Sequence, residues 1–252
     1  MDVEDEVERI VQFIKSLMKN SEAEGIVVGL SGGIDSATTA ALCVRAIGND
    51  HVLALILPCH SNEADKVDGL SIAEHLGIQY KLVDLTETFD IFFKTLSNRS
   101  KSTPLAKANL KPRLRMCALY FYANQRNFLV AGTGNKSEDV IGYFTKYGDG
   151  GVDFLPISHL YKHEVREIAR YLELPQNIIA RKPTAGLWDG QTDEDELSKQ
   201  LGFFLTYEKL DTMLENIEHN KFDEDNSQYR KLLELIEKNK HKIAYPPALK
   251  RV

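Results

Sequence analysis

The residues best equipped for chemistry lie in the segment Gly29-Leu30-Ser31-Gly32-Gly33-Ile34-Asp35-Ser36. The apolar run 25–30 before it reads as a buried strand, and the Ala-rich run 36–47 after it reads as a helix. A glycine turn between a strand and a helix aims backbone N–H groups outward at the positive end of the helix dipole, which favours an anion. Gly32 and Gly33 let the backbone approach a phosphate with no Cβ in the way. Ser31 and Ser36 add hydroxyl donors. The loop lacks the lysine of a Walker A sequence. Asp35 stands there instead, and it would repel phosphate unless a divalent cation lay between them. These residues describe a pyrophosphate cradle with Mg²⁺ held at one lip by Asp35.

A second cluster, Gly132-Thr133-Gly134-Asn135-Lys136-Ser137-Glu138, follows a fourth predicted strand. Its spacing imitates a dinucleotide fingerprint. Ser137 occupies the third glycine position, however, and the first strand already carries the phosphate loop, so a Rossmann dehydrogenase is disfavoured. Both loops leave C-terminal strand ends, where open parallel sheets bind ligands. Glu138 could then share Mg²⁺ with Asp35, or merely charge a helix start. The aromatics beside Lys146 in Gly142-Tyr-Phe-Thr-Lys-Tyr-Gly-Asp-Gly-Gly151 suit a nicotinate or adenine ring with adjacent phosphates. Alone, the segment reads equally well as a packed loop edge. No Ser-His-Asp or Cys-His nucleophile stands out. The odd, sparse set Cys43, Cys59 and Cys117 argues against a disulfide framework, and Cys43 and Cys117 read as packing residues.

The elements that must position these groups follow from periodicity. Apolar runs at 25–30, 52–57, 78–83 and 127–131 alternate with helical patterns at 36–47, 66–76, 86–96 and 110–125. That alternation predicts a Rossmann-like three-layer α/β/α fold with a mainly parallel sheet. Val3, Val7, Ile10, Val11, Ile14, Leu17 and Met18 recur at steps of three and four, which predicts an N-terminal amphipathic helix. A further helix is expected over 159–172, and a C-terminal helical region follows: from 193 onward the pattern is helical again, over 194–204, 206–216 and 229–240. The expected organisation is one domain over 1–252, with a core sheet at about 25–160 and a helical part at about 160–252. Residues 132–153 read as loop. Residues 182–191 read as loop, and the segments 58–65 and 182–196 could both close over the site, with Trp188 as an anchor.

Composition narrows the class. The 252 residues are 43% apolar and 27% charged, ordinary for a soluble domain. With 31 basic and 37 acidic side chains the net charge is −6, which disfavours nucleic acid as a partner. A polyanionic ligand must find its positive charge locally. The acidic N-terminus lacks an apolar signal core, and no run approaches the roughly 20 apolar residues of a membrane span. A cytoplasmic setting with no membrane contact is expected.

The Ser-Gly-Gly-x-Asp-Ser loop resembles that of the ATP pyrophosphatases, which cleave ATP between the α- and β-phosphates to adenylate a carboxylate or carbonyl. Together with 132–138, 143–151 and Lys182-Pro-Thr-Ala-Gly-Leu-Trp-Asp-Gly-Gln-Thr-Asp-Glu-Asp-Glu196, it is similar in order and spacing to ammonia-dependent NAD synthetases, from about residue 25 to His241-Lys242. The resemblance implies that Gly29, Leu30, Ser31, Gly32, Gly33, Ile34, Asp35 and Ser36 bind ATP phosphates, helped by Thr133, Lys162 and Thr184. It implies that Asp35 and Glu138 hold Mg²⁺, and that Arg113, Lys146, Asp153, His241 and Lys242 contact deamido-NAD. It further implies a homodimer with the substrate site at the subunit interface. The implied reaction forms an acyl-adenylate, which ammonia then attacks; Lys162 stabilises the leaving pyrophosphate, and Asp153 is one candidate base. Read alone, Arg113 and Lys162 are also plausible helix-start charges, Asp153 and Thr184 turn residues, and His241 and Lys242 an exposed basic tail. Ile34 departs from a common glutamine at that position, although other members carry an apolar residue there. Only 30 residues precede Ser31, so no glutaminase region is expected and free ammonia is the expected nitrogen source. A GMP-forming synthetase, which would use xanthylate, is the rival within the wider group.

Overall fold

The computed structural model describes residues 1–97, 102–181, 183 and 192–249. Among them, strands β1 (Gly25–Gly29), β2 (Val52–Ile56), β3 (Gln79–Leu82) and β4 (Phe128–Ala131) form one parallel sheet in the order β3-β2-β1-β4. Val27 of β1 lies beside Leu53 of β2 and Val130 of β4. Ala131 continues into a single parallel bridge with Phe154. β1 and β2 are unbroken apolar runs because both faces of the sheet are covered. Successive side chains point to opposite faces. Thus Ile26, Val28, Ala54 and Ile56 enter one core, while Val27, Leu53, Leu55 and Val130 enter the other.

The helices divide between these layers. One face is covered by α1 (Val3–Ser21), α2 (Ile34–Ile47) and α3 (Glu63–His75), and the other by α4 (Thr86–Ser97) and, after the short α5 (Pro104–Ala108), α6 (Leu110–Arg126). The short α7 (Lys136–Ile141) follows β4, then α8 (Lys162–Tyr171) and α9 (Gln176–Ile179). α8 and α9 pack against α1 and α2 on the first face, so the sheet layer extends well past residue 160. α10 (Asp193–Leu201), α11 (Tyr207–Glu218) and α12 (Ser227–Asn239) close a separate small core with Ile141 of α7. α1 docks through Val7, Ile10, Val11 and Ile14, all at most 2% exposed. At about 1.5–3 kcal/mol per buried side chain, this stripe fixes the helix more firmly than its propensity does. Its start is capped by Asp2, which accepts from the N–H groups of Glu4 and Asp5.

Several boundaries differ from expectation. α3 begins at Glu63 with Asn62 as its cap, so the loop expected over 58–65 ends at 62. α7 occupies part of the expected loop 132–153: Asn135 caps its start, and Gly142, with φ 66°, ends it. α8 starts at Lys162 rather than 159, because Glu164 reaches back to the Tyr161 N–H at 2.8 Å. α10 starts at Asp193, where the helical pattern was expected to begin, so the segment expected to close over the site reaches only to 192, and Trp188 lies outside the described residues. Cys43 is buried as expected, but Cys117 is exposed on α6. Among the described residues, no helix is long and apolar enough to cross a membrane.

Candidate active site

The strand order reverses at β1: the chain winds from β1 through β2 to β3, then places β4 on the other side of β1. The crevice outside the carboxyl ends of β1 and β4 is therefore the topological switch point, where doubly wound sheets take their ligands. The two glycine segments leave these adjacent strands and meet there. Asn135 Nδ2 donates to Asp35 Oδ1 at 3.0 Å across the crevice.

The phosphate loop is braced by its own serines. Ser36 Oγ donates to the Gly33 carbonyl at 2.9 Å, and the Gly33 N–H donates to Ser31 Oγ at 3.3 Å. Gly33 is the N-cap of α2 and brings no side chain to the first-turn amides, so these suit an external anion. Gly32 has φ +79°, and a Cβ there would lie 2.7 Å from the Asp65 carbonyl oxygen. Leu30 and Ile34 are buried and hold the loop to the core, while Gly29 ends β1.

Beyond this loop lies a buried ion cluster. Lys162, only 1% exposed, donates from Nζ to Asp35 Oδ2 at 2.6 Å and to Glu138 Oε1 at 3.0 Å. Its ammonium also stands 4.8 Å from the centre of the Tyr207 ring. Burial opposes the charge of Lys162, but Asp35 and Glu138 more than offset this and hold its proton above the usual lysine range. Burial pushes the Glu138 carboxyl well above its ordinary value; Lys162 pulls it back, while Asp35 and Asp193 push it further up. The Tyr207 hydroxyl lies 3.1 Å from Glu138 Oε1 and 3.2 Å from Asp193 Oδ2. Tyr143 connects Asp193 to Glu196 in the same way, at 3.2 and 2.8 Å.

The backbone that carries Lys162 is equally constrained. Its N–H donates to Ser137 Oγ at 2.9 Å, and Ser137 in turn donates to the buried Asp211. Asp211 also accepts from the N–H of His163 at 3.1 Å, which ties α7, α8 and α11 together. Asp35 and Glu138 keep 18% and 17% of their side-chain surface open to solvent. Among the described residues, no group of three or more His, Cys, Asp or Glu could hold a metal ion. Two converging carboxylates suffice for Mg²⁺ when substrate phosphates complete its shell. Two acids facing one ammonium leave a negative surplus that such a cation would balance, so the donor set fits.

Four of the five residues that the resemblance implies for deamido-NAD lie together in a second group. Arg113 Nη2 donates to the Lys146 carbonyl at 3.4 Å, and Lys146 Nζ donates to the His241 carbonyl at 2.6 Å. Lys242 Nζ donates to the carbonyls of Gly142 and Phe144 at 2.6 and 3.0 Å. The loop 142–151 and the C-terminal His-Lys pair are thus one basic cluster rather than a free tail. Asp153 lies apart: Oδ2 accepts the Val130 N–H at 2.8 Å and Oδ1 the Tyr120 hydroxyl at 3.1 Å, which anchors it to β4. Thr133 is half-buried in the loop after β4. Thr184 lies outside the described residues.

Sequence reasoning passed over Asn135, Tyr207, Asp193, Asp211 and Arg181. Asn135 carried a readable signal, an N-cap three residues before Glu138. Tyr207 and Asp211 sit among core apolar residues of α11 and look like its packing face.

The residues 6–246 match the family model for NAD synthase. The NH(3)-dependent NAD(+) synthetase of Archaeoglobus fulgidus is 48% identical over 249 residues, covering 98% of this chain and 97% of that protein. The protein of the same name from Methanocaldococcus jannaschii is 43% identical, over 97% of this chain and 96% of its own length. Among solved structures, NMN synthetase from Francisella tularensis superposes with a TM-score of 0.88 at 35% identity over the whole of both chains. The NH3-dependent NAD synthetase from Campylobacter jejuni, in complex with the nitrate ion, gives 0.81 at 35% identity over 99% of this chain and 100% of the other. The chain belongs to the NAD synthase family.

Proposed function

We infer that the chain is an ammonia-dependent NAD synthetase: it amidates deamido-NAD with ammonia at the expense of ATP, the last step of NAD biosynthesis. The observation that supports a pyrophosphate-releasing mechanism is the Asp35–Lys162–Glu138 cluster at the mouth of a lysine-free phosphate loop. The nicotinate carboxylate attacks the α-phosphorus, the bond to the bridging oxygen breaks, and pyrophosphate leaves. Ammonia then attacks the acyl carbon of the adenylate and gives up one proton, for which Asp153 is the candidate acceptor, and AMP departs with the electron pair of the broken C–O bond.

Such a reaction needs alignment and charge neutralisation more than covalent protein chemistry. In this reading Gly29–Ser36 cradle the phosphates, and Lys162 neutralises the leaving pyrophosphate. Asp35 and Glu138 would hold Mg²⁺, which supplies Lewis-acid charge stabilisation on the phosphate oxygens. Thr133 and Thr184 take further ATP contacts. Arg113, Lys146, His241 and Lys242 place deamido-NAD by its phosphates. Asp153, anchored to β4 through one hydrogen bond at each oxygen, takes a deamido-NAD contact and stays the candidate base.

A homodimer fits the exposed apolar stripe on α4 and α6, where Ile91, Phe92, Leu96 and Phe121 are 42–62% exposed. α6 also carries Arg113, so pairing there would bring the substrate cluster to the interface. A monomer mass in light scattering would overturn this part.

The neighbour named NMN synthetase makes nicotinate mononucleotide the competitor to test. Protein incubated with ATP, Mg²⁺ and ammonium should convert deamido-NAD to NAD with equal AMP and pyrophosphate. Faster amidation of nicotinate mononucleotide, amidation of xanthylate alone, or release of orthophosphate would each overturn the assignment.

A further inference from the structure

We propose that Arg181 is a positioning residue for the phosphate loop; this rests on the reading that Gly29–Ser36 hold ATP. Arg181 follows α9 and reaches back to α3 and the loop. Its Nη1 donates to the Gly32 carbonyl at 3.3 Å and to Asp68 Oδ2 at 2.6 Å, and its Nη2 donates to Asp65 Oδ1. Asp65 and Asp68 stand three residues apart on α3, so both carboxylates face the same way. The contact is close: α3 approaches until a Cβ on Gly69 would be 3.2 Å from the Leu30 carbonyl oxygen. A Cβ on Gly32 would be 2.9 Å from Arg181 Nη1 itself.

Two consequences follow from elementary chemistry. The first is orientation. In a trans peptide the C=O and the following N–H point in opposite directions. Fixing the Gly32 carbonyl against Arg181 therefore fixes the Gly33 N–H toward the Ser31 side of the loop, where it donates to Ser31 Oγ. That bond braces the turn directly before the first-turn amides of α2, which are the ones a phosphate would meet. The second is charge. Without the guanidinium, two carboxylates would press against the back of an anion site and repel pyrophosphate. The planar fork satisfies both acids and the carbonyl at once, which a lysine ammonium reproduces only as a point charge.

The test compares Arg181→Ala, Arg181→Lys and the triple variant Arg181→Ala/Asp65→Asn/Asp68→Asn, with Asp35→Ala as the reference for the site. Arg181→Ala should raise the KM for ATP by roughly tenfold, the scale of one charged hydrogen bond, with the KM for deamido-NAD within about twofold. Arg181→Lys should fall between Arg181→Ala and wild type. The triple variant should recover part of the ATP KM, because the uncancelled acids are gone. A purely structural residue would lower the melting temperature and leave the ATP KM alone, or shift both KM values together; either result overturns the proposal. A triple variant no better than Arg181→Ala also overturns it. Should Arg181→Ala fail to fold, the KM split is read in Arg181→Lys, where an ATP KM within twofold of wild type refutes the idea. If Asp35→Ala leaves ATP use intact, the phosphate-loop reading itself fails; if Asp35→Ala is impaired and the Arg181 variants are not, only the Arg181 proposal does.

Discussion

Replacing Lys162 with methionine isolates the electrostatics of the buried ion cluster, because the side chain keeps its length and loses its charge. Lys162 is 1% exposed and bonds two carboxylates at 2.6 and 3.0 Å. Breaking a buried pair by removing one partner costs about 3–5 kcal/mol, since the other charge is stranded. Here two charges are stranded, but Asp35 and Glu138 keep 18% and 17% of their surface in water. The lower end of the range, about 3 kcal/mol, is therefore the working figure. For a chain of this size each kcal/mol moves the melting temperature by about 2–4 °C, so the expected fall is about 6–12 °C. Differential scanning calorimetry without nucleotide or Mg²⁺ measures it. Adding Asp35→Asn to Lys162→Met removes one of the two opposed acids and should recover part of the loss. A drop below about 2 °C would refute the reasoning. So would a double variant no more stable than Lys162→Met, because the cost would then not come from stranded acids.

Three further outcomes are expected. Gly32→Ala forces a Cβ to within 2.7 Å of the Asp65 carbonyl at φ +79°, whereas Gly48, at φ +84°, has nothing within 4 Å of that position. Gly48→Ala should cost only the strain of a positive-φ, extended conformation that suits glycine, about 1–3 kcal/mol, and Gly32→Ala distinctly more, with loss of ATP turnover; equal melting temperatures for the two would contradict the clash. Tyr207→Phe removes a hydroxyl that can donate to only one of Glu138 and Asp193 at a time, so it should cost about one charged hydrogen bond, ~1.5–3 kcal/mol, and weaken Mg²⁺-dependent activity; unchanged stability and Mg²⁺ response would show that the hydroxyl is idle. Glu6 is opposed by burial but held below the ordinary carboxylate value, 4.5, by Arg9 and His159. A depressed folded-state pKa contributes stability above the unfolded value and loses it as pH falls through the folded one. The gap in melting temperature between wild type and Glu6→Gln should thus be full near pH 7 and shrink below about pH 4.5; a gap unchanged down to about pH 3.5 would be the contrary result.

Much of the fold was legible because burial on both sides leaves a plain mark. The runs around Ile26–Val28 and Val52–Ile56 are apolar at every position, which no amphipathic helix requires. The strand–turn–helix at 29–36 was legible because its glycines and serines act through local backbone geometry. Lys162 was assigned by resemblance, but its surroundings were not legible. In Tyr-Lys-His-Glu it looks like a solvated charge, and only acids 127 and 24 residues away make it a buried cation. α7 was lost between Gly134 and Gly142, whose turn signals outweighed six helical residues. Arg181 and Asp211 act wholly through partners remote in sequence. Cys117 was misjudged because α6 leaves an apolar side uncovered, with Phe121 62% exposed.

The place of β4 has a consequence for how the enzyme is made. β1, β2 and β3 join through successive short crossovers, so a half-sheet forms from near neighbours. The opposite wall of the crevice arrives only when β4 slots in beside β1, bringing Asn135 to Asp35 across 100 residues of chain. Contacts that span more sequence close later, since more chain must first be ordered. Completion of the cleft is therefore a late event in maturation: a ribosome-bound chain that has emerged only as far as β3 holds one lip of the cleft and a sheet still lacking α4 and α6 on one face, and the ion cluster waits for β4, α7 and Lys162 at the head of α8.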